Sequence, residues 1–168
     1  MEIKMVLYLP RDAVSVPVCR QVLDSCLETL GVTPNTRADI ALALSEACAN
    51  VIQHAGPGEE YEVLVSAKDC QCAIEVVNTG TPDGARPVGL PVERPVEEPA
   101  VGFGLADDPV SVTAEHGRGL QIIDAVADNL QLTGNQGQGT TTVHFEKTLE
   151  WLPGAAGRHL LHPDGGGA

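Results

Sequence analysis

The chain has 168 residues, of which 43% are hydrophobic and 3% aromatic, and its formal net charge is −13. This length and apolar content predict one globular domain whose core is built from aliphatic side chains. The acidic balance excludes direct binding to nucleic acid or to an anionic membrane surface, because both need a basic patch on the protein. Partners that are proteins or small molecules fit better.

The remaining composition favours the cytoplasm. The N-terminal residues lack the apolar segment and cleavage site of a secretory signal, and no apolar run approaches the roughly 18 residues of a membrane span. The five cysteines are odd in number and form no CxxC pair, which is typical of free thiols in a reducing compartment. We therefore expect a cytoplasmic protein with no membrane contact.

The first part of the chain predicts one strand followed by two helices. A β-rich run at residues 3–9 predicts the strand. Apolar residues at steps of four then predict a helix from residue 12 or 15 to residue 30, closed by Gly31. The pair Thr33-Pro34 is typical of a helix start, and this second helix is expected to end before the Gly-Pro-Gly run at residues 56–58.

The second part predicts four strands and a short helix around a long loop. The predicted strands cover residues 61–67, 72–77, 130–133 and 140–149, and the predicted helix covers residues 117–128. Helices and mostly antiparallel strands in separate runs predict an α+β fold. We expect a two-layer α/β sandwich with a mixed, mostly antiparallel sheet covered on one face by helices. The domain is expected to span residues 1–150, and the Gly-rich tail at residues 151–168 is expected to be disordered.

The stretch at residues 38–55 of the second predicted helix carries two patterns at once. Its apolar residues recur at helical spacing and predict one buried face: Ile40, Leu44, Ala47 and Val51. Glu46, Asn50 and His54 lie at i, i+4 and i+8, so a carboxylate, an amide and an imidazole share a neighbouring stripe. An ordinary exposed face also carries polar residues, although here the neighbours are mainly alanine. The helix alone therefore leaves a functional and a structural interpretation open.

Two further segments carry chemistry. The strand predicted at residues 72–77 ends abruptly in the turn residues Asn78-Thr79-Gly80. The run Gly117-Arg118-Gly119 precedes a helix, where unpaired N–H groups favour an anion and glycine admits a phosphate close to the backbone. Arg118 would add a charge-assisted hydrogen bond. A glycine turn that only connects a loop to a helix explains the same residues.

Taken together, these motifs resemble the GHKL (Bergerat-fold) ATPase family, and most closely its small bacterial branch of anti-sigma-factor serine/threonine kinases. The resemblance covers about residues 5–148 and rests on the order and spacing of the motifs. It implies that ATP and Mg²⁺ are the cofactors, that Glu46 is the general base and that Asn50 binds the Mg²⁺. Mg²⁺ prefers oxygen ligands and keeps several waters, so one amide oxygen beside phosphates is sufficient. His54 matches a frequent family histidine, but a helix-end or core role is the better interpretation.

The resemblance also implies a nucleotide pocket. Asn78 and Gly80 would contact the adenine, Gly117, Arg118, Gly119 and Leu120 would form the glycine box that ends the ATP lid, and Thr141 would close the base pocket. The Thr-rich run at residues 140–142 is also typical of a plain β-strand, but the preceding motifs favour the pocket role for Thr141. The chain departs from the family pattern by Asn78 in place of aspartate and by Pro82 in place of the second glycine. The lid at about residues 81–116 holds seven acidic residues and two arginines.

The implied function is an ATP-binding anti-sigma regulator with serine/threonine kinase activity toward an anti-sigma antagonist. Its implied partners are a sigma factor and a STAS-type antagonist. The family also implies a homodimer through the first strand and helix, although that strand alone is equally consistent with an internal edge. Two alternatives stay open: a non-catalytic regulatory module that acts by protein binding, and an α+β scaffold that has lost its nucleotide site.

Overall fold

The structure, a computed structural model, describes residues 1–54, 60–78, 116–135 and 140–161. Its elements in chain order are β1 (Glu2–Pro10), α1 (Ser15–Leu30), α2 (Pro34–His54), β2 (Glu60–Lys68), β3 (Gln71–Asn78), α3 (His116–Val126), β4 (Asn129–Asn135), β5 (Thr140–Thr148) and α4 (Ala156–Leu161). Nearly all of the predicted lid therefore lies outside the described residues.

The five strands form one sheet in the order β1-β2-β3-β5-β4. Each neighbouring pair in this sheet is antiparallel, so the predicted mixed character is wrong while the predicted α+β class is confirmed. The last strand of the chain, β5, lies between β3 and β4, and β1 and β4 form the two edges. The end of β3 and the start of β5 consequently lie side by side, because antiparallel neighbours run in opposite directions.

Helix α2 is the centre of the helical layer. It packs against α1 and α3, and it also contacts β3 and β5 of the sheet. Its apolar face is completely removed from solvent, as the spacing predicted, in the residues Ile40, Leu44, Ala47, Cys48 and Val51. No helix in the described ranges is long and apolar enough to cross a membrane. Burial along the full length of α2 fixes its backbone, which makes it a rigid support for polar side chains on its other faces.

The β2–β3 hairpin shows why the strands form where they do. Burial along β2 alternates residue by residue, with Val63 and Val65 turned toward the helices, as a sheet covered on one face requires. Two residues connect the strands, Asp69 with φ 48° and Cys70 with φ 67°. Positive φ at both positions is the geometry of a type I′ turn, which matches the twist of the strands. The turn lies one residue later than the predicted Lys68-Asp69.

The helix ends follow from local chemistry. Gly31 closes α1 in the left-handed conformation, with φ 84°, and its N–H donates to the Glu28 carbonyl, as expected from the sequence. Helix α2 begins at Pro34 as predicted. Helix α3 ends at Val126, two residues before the predicted end, because the Asp128 N–H donates to the Glu146 carbonyl of β5 at 2.8 Å.

The five cysteines are free thiols, as expected. Cys19, Cys48 and Cys72 are buried, whereas Cys26 is exposed and Cys70 is half-buried. Burial raises the pKa of Cys72 to about 12. The thiolate is the reactive form of cysteine, so the buried thiols act as small apolar core residues.

The tail predicted to be disordered from residue 151 is ordered as far as Leu161. Trp151 forms an isolated β-bridge with Val32, and the Leu152 N–H donates to the Gly31 carbonyl at 2.8 Å. Helix α4 follows and buries Leu161 completely. A Cβ atom on Gly157 would lie 2.6 Å from the Leu30 carbonyl oxygen, so the glycine allows this close packing. At Gly157, the glycine that contributed to the prediction of disorder is a packing requirement. Residues 162–168 lie outside the described residues.

Replacing Leu161 with Ala should lower the free energy of unfolding by about 2 kcal/mol or more, because a fully buried leucine is lost and a cavity remains. Leu160, the preceding residue, is 44% exposed and provides a matched control. Leu160→Ala should change stability by no more than about 0.5 kcal/mol. Urea denaturation of both variants measures the difference. Equal, negligible effects would contradict the docking of α4.

Candidate functional site

Glu46 and Asn50 lie one helical turn apart on α2, next to its buried face. Ala47, Cys48 and Val51 are 0% exposed, so the backbone that carries the two polar residues is held by the core. The side chains of Glu46 and Asn50 are themselves half-buried. The backbone positions of the carboxylate and the amide are thus fixed, while their functional groups remain partly exposed to solvent. This arrangement suits groups that bind a ligand from solvent.

The N-terminal part of α3 packs directly against Glu46. A Cβ atom built on Gly119 would lie 2.8 Å from Oε2 of Glu46 and 3.9 Å from its Cβ and Cδ atoms. A real Cβ atom does not approach an oxygen so closely, so Gly119 permits this contact only because it has no side chain. The structure therefore brings together the predicted glycine box and the predicted base, which are far apart in the sequence.

Asn78 and Thr141 lie at the same end of the sheet. Asn78 ends β3 and is 0% exposed. Val77 of β3 pairs with Thr142 of β5, so Asn78 is level with Thr141 on the neighbouring strand. Val76 lies two residues before Asn78, and Val143 lies two residues after Thr141, so each pair shares a face of the sheet. Both valines are buried on the side of the helices, so Asn78 and Thr141 also belong to the helix-covered face. Two predicted adenine-pocket residues are consequently neighbours.

The structure describes some of the other predicted site residues but not all of them. Gly117 and Arg118 lie in the first turn of α3, where the Arg118 side chain is exposed. Leu120 is half-buried and packs on the core, so it anchors this end of the helix. Gly80 lies outside the described residues. His54 ends α2, and its side chain is also outside the described part of the structure.

A buried polar cluster supports α2 from behind. Ser15 of α1 and Tyr61 of β2 share a hydrogen bond of 2.7 Å between their hydroxyl oxygens. Burial raises the pKa of Tyr61, so the hydroxyl stays protonated. Cys48 of α2 hydrogen-bonds Cys19, and this bond together with burial raises the pKa of the Cys48 thiol. These contacts link α1, α2 and β2.

Two residues beside α3 were missed by the sequence analysis. The Nζ atom of Lys147 on β5 lies 2.8 Å from Oδ2 of the Asp39 carboxylate. The same Nζ atom also donates a hydrogen bond to the Val126 carbonyl. Asp39 precedes Glu46 by seven residues on α2, which is two helical turns and therefore the same side of the helix. The seven-residue spacing could have placed Asp39 on the same side of α2 as Glu46, but it could not identify Lys147 on the distant strand β5 as its partner.

The chemistry of these residues fits a magnesium nucleotide. An amide oxygen at Asn50 is a hard ligand of the kind Mg²⁺ accepts, with phosphates and waters completing the coordination. The start of α3 presents backbone N–H groups suited to an anion, and Gly119 lets this helix start lie close to the Glu46 carboxylate. In their chemistry, these residues fit ATP with Mg²⁺.

Comparison with known proteins agrees with this geometry. A family model described as the histidine kinase-like ATPase domain matches residues 9–146. Among curated proteins, the chain is 23% identical to a serine-protein kinase RsbW of Bacillus mycoides (strain KBAB4) over 134 residues, which is 80% of this chain and 79% of the relative. A serine-protein kinase RsbW of Bacillus cereus (strain G9842) is 24% identical over the same shares of both chains.

A solved structure shows the same fold. The crystal structure of the RsbU and RsbW domains of Rv1364c from Mycobacterium tuberculosis superposes with a TM-score of 0.59 at 16% sequence identity. The match covers 88% of this chain and 32% of that longer chain. The family match thereby confirms the resemblance to the GHKL family, and the similarity to RsbW kinases lies in its small bacterial branch. The chain belongs to the histidine kinase-like ATPase domain family.

Proposed function

We propose that this chain is an ATP-dependent serine/threonine protein kinase of the anti-sigma-factor type, which phosphorylates an anti-sigma antagonist. The observation that carries the proposal is the close approach of Gly119 to the Glu46 carboxylate. It puts a helix start suited to phosphate next to the residue suited to activate a hydroxyl. The name serine-protein kinase, given to relatives that match over 80% of this chain, supports the same activity.

Glu46 is the proposed general base. Its backbone is held one turn from Asn50 on a helix whose apolar face is buried, so its carboxylate lies within reach of a group bound beside the amide. It would accept the proton of the serine hydroxyl as that oxygen attacks the terminal phosphorus of ATP, and ADP would leave as the bond from that phosphorus to the bridging oxygen breaks. Proton transfer to a positioned carboxylate, together with orientation of the hydroxyl, is what phosphoryl transfer requires of the protein.

Asn50 is the proposed Mg²⁺ ligand, and the start of α3 is the proposed phosphate site. Bound Mg²⁺ neutralises charge on the transferring phosphate. The backbone N–H groups at Gly117 and Gly119 would donate to phosphate oxygens, and the exposed Arg118 guanidinium would add a charge-assisted bond. Leu120 holds this turn against the core. The chain's acidic surface makes such local positive groups necessary.

Asn78, Gly80 and Thr141 are the proposed adenine contacts. Asn78 is fully buried at the end of β3, and its amide oxygen would accept a hydrogen bond from the adenine amino group. An amide here replaces the family's carboxylate. It avoids the cost of burying a charge, but it gives a weaker acceptor. Thr141 lies level with Asn78 on β5 and would line the other side of the base.

The proposed partners are a sigma factor and a STAS-type antagonist in the cytoplasm, and a second copy of the chain. The homodimer proposal is supported by the edge position of β1 and by exposed valines on α1, since both features favour association. Val18 is 53% exposed and Val22 is 37% exposed. A helix side that carries such residues is suited to contact with protein.

The second candidate is a regulatory module that binds partners without catalysis. Two features of the sequence favour it: Asn78 stands where the family has aspartate, and the segment at residues 81–116 is acidic. An acidic segment near a triphosphate repels it unless cations compensate. In this candidate, nucleotide either sets the shape of the regulatory surface or is not bound.

Titration calorimetry with ATP, with and without Mg²⁺, separates the two candidates at the first step. The kinase proposal expects Mg²⁺-dependent binding near micromolar Kd, about −8 kcal/mol, and a loss of that dependence in Asn50→Ala. Asn35→Ala, a change at an exposed position on the first turn of α2, is the control and should bind as the unchanged chain does. Absence of binding to the unchanged chain would contradict the kinase proposal and favour the regulatory module.

A further inference from the structure

Lys147 joins three elements around the candidate site. It belongs to β5, its Nζ atom lies 2.8 Å from Oδ2 of Asp39 on α2, and the same atom donates to the Val126 carbonyl at the end of α3 at 2.5 Å. The Lys147 side chain is 19% exposed. Such a partly buried cation with two acceptors is held more firmly than an exposed surface pair.

The bond from Lys147 closes the C-terminal end of α3. The last carbonyls of a helix have no partner within the helix, and the negative end of the helix dipole favours a cation there. Two more contacts fasten the same end to β5: the Asp128 N–H donates to the Glu146 carbonyl, and the Thr148 N–H donates to Oδ2 of Asp128. Hydrogen bonds from Thr148 lower the pKa of Asp128, so this carboxylate stays ionised at neutral pH. The end of α3 is therefore fixed to the sheet.

The other end of the same helix meets the candidate base. Val126 follows Gly119 by seven residues on α3, and Glu46 follows Asp39 by seven residues on α2. Lys147 connects Val126 with Asp39, and Gly119 contacts Glu46. The two helices thus run in opposite directions. Their two points of contact are about 10.5 Å apart along each helix axis, which is the rise of seven residues. A shift at the lysine would be transmitted to the glycine because a helix of two turns moves as a unit.

We propose that Lys147 is a positioning residue for phosphoryl transfer, which sets the register of α3 on α2 and so places Gly119 beside Glu46. This inference rests on the proposed kinase function. The Gly119 backbone lies against the Glu46 carboxylate, so a small slide of α3 along α2 changes the space beside that carboxylate. Lys147 itself does not touch the reacting groups. Its effect is on the geometry of the groups that do.

Lys147→Met and Lys147→Arg test the proposal. Methionine keeps an apolar stem of similar length but removes the charge and the donors, whereas arginine keeps both. Misplacement of reacting groups by about an ångström costs about a hundredfold in rate. We expect Lys147→Met to lower the rate of phosphoryl transfer at saturating ATP by about tenfold to a hundredfold. Lys147→Arg should stay within about threefold of the unchanged chain, on the same reasoning.

Arg37→Met is the matched control for a purely structural role. Arg37 is also a partly buried cation, 16% exposed, that joins two helices through Asp24 and Glu28 of α1. Its loss should lower the midpoint of thermal unfolding without changing the transfer rate of the folded protein. If Arg37→Met and Lys147→Met reduce the rate equally, or if Lys147→Met transfers phosphate at the unchanged rate, the positioning role is overturned.

Hydrogen exchange gives a readout that does not depend on kinase activity. The amides of residues 122–126, in the C-terminal half of α3, should exchange at least about tenfold faster in Lys147→Met, because one of the contacts that fasten this end of the helix is lost. They should keep their protection in Arg37→Met. If the protein without substitutions transfers no phosphate, the proposed kinase function is contradicted, but hydrogen exchange still tests whether Lys147 holds α3 in place. Unchanged exchange of α3 in Lys147→Met would overturn the positioning role itself.

Discussion

Replacing Glu46 with Ala should abolish phosphoryl transfer to the antagonist, with a fall of at least about a hundredfold, while nucleotide binding stays largely intact. The carboxylate lies beside the start of α3, where the terminal phosphate would bind, and one turn from the proposed Mg²⁺ ligand Asn50. Removal of the proton acceptor affects the attacking hydroxyl but removes no proposed contact to ATP. Transfer of labelled phosphate from ATP to a purified STAS-domain antagonist measures the rate, and calorimetry measures binding.

Two control variants make this result specific. Glu46→Gln keeps the shape that packs against Gly119 and removes only the charge, so it should lose activity as the alanine variant does. Glu75→Ala removes another half-buried acid, which lies on the sheet face away from the helices because Ile74 and Val76 face them. It should transfer phosphate normally. A Glu46→Gln variant that remains fully active would show that the carboxylate is not the base.

Helix α2 and its two candidate site residues, Glu46 and Asn50, could be predicted from the sequence. The apolar spacing of Ile40, Leu44 and Val51 is a local pattern, and a 3.6-residue period is readable without any knowledge of the rest of the fold. The same spacing shows that Glu46 and Asn50 share a side of the helix. The strands were found for a similar reason, because alternation and β-branched residues are local signals. Local signals therefore gave both the fold class and the centre of the candidate site.

The contacts that complete the site were not predictable, because they join distant parts of the chain. Gly119 lies 73 positions after Glu46, and Lys147 lies 108 positions after Asp39. No spacing rule connects such pairs before the strand order is known. The segment at residues 151–161 was missed for a different reason. Its glycine content is typical of disorder, and only the structure shows that the missing Cβ atom at Gly157 allows contact with α1.

Gly119→Ala should separate stability from activity. The new Cβ atom would lie 2.8 Å from Oε2 of Glu46, which is the tip of a flexible side chain and can rotate away at little cost. Alanine also favours a helix over glycine by up to about 1 kcal/mol. The variant should therefore unfold at an unchanged or higher temperature. Its rate of phosphoryl transfer should fall by about tenfold to a hundredfold, because the carboxylate has left its position.

Asp124→Ala is the control for the helix itself. Asp124 lies on the exposed side of α3, and its replacement by alanine also raises helix propensity. It should leave the transfer rate unchanged. Thermal unfolding and the phosphate-transfer assay, run on both variants, then distinguish a stiffer helix from a displaced carboxylate. If Gly119→Ala transfers phosphate at the unchanged rate, the space between α3 and Glu46 is not needed for catalysis, and the glycine serves only to pack the two helices together.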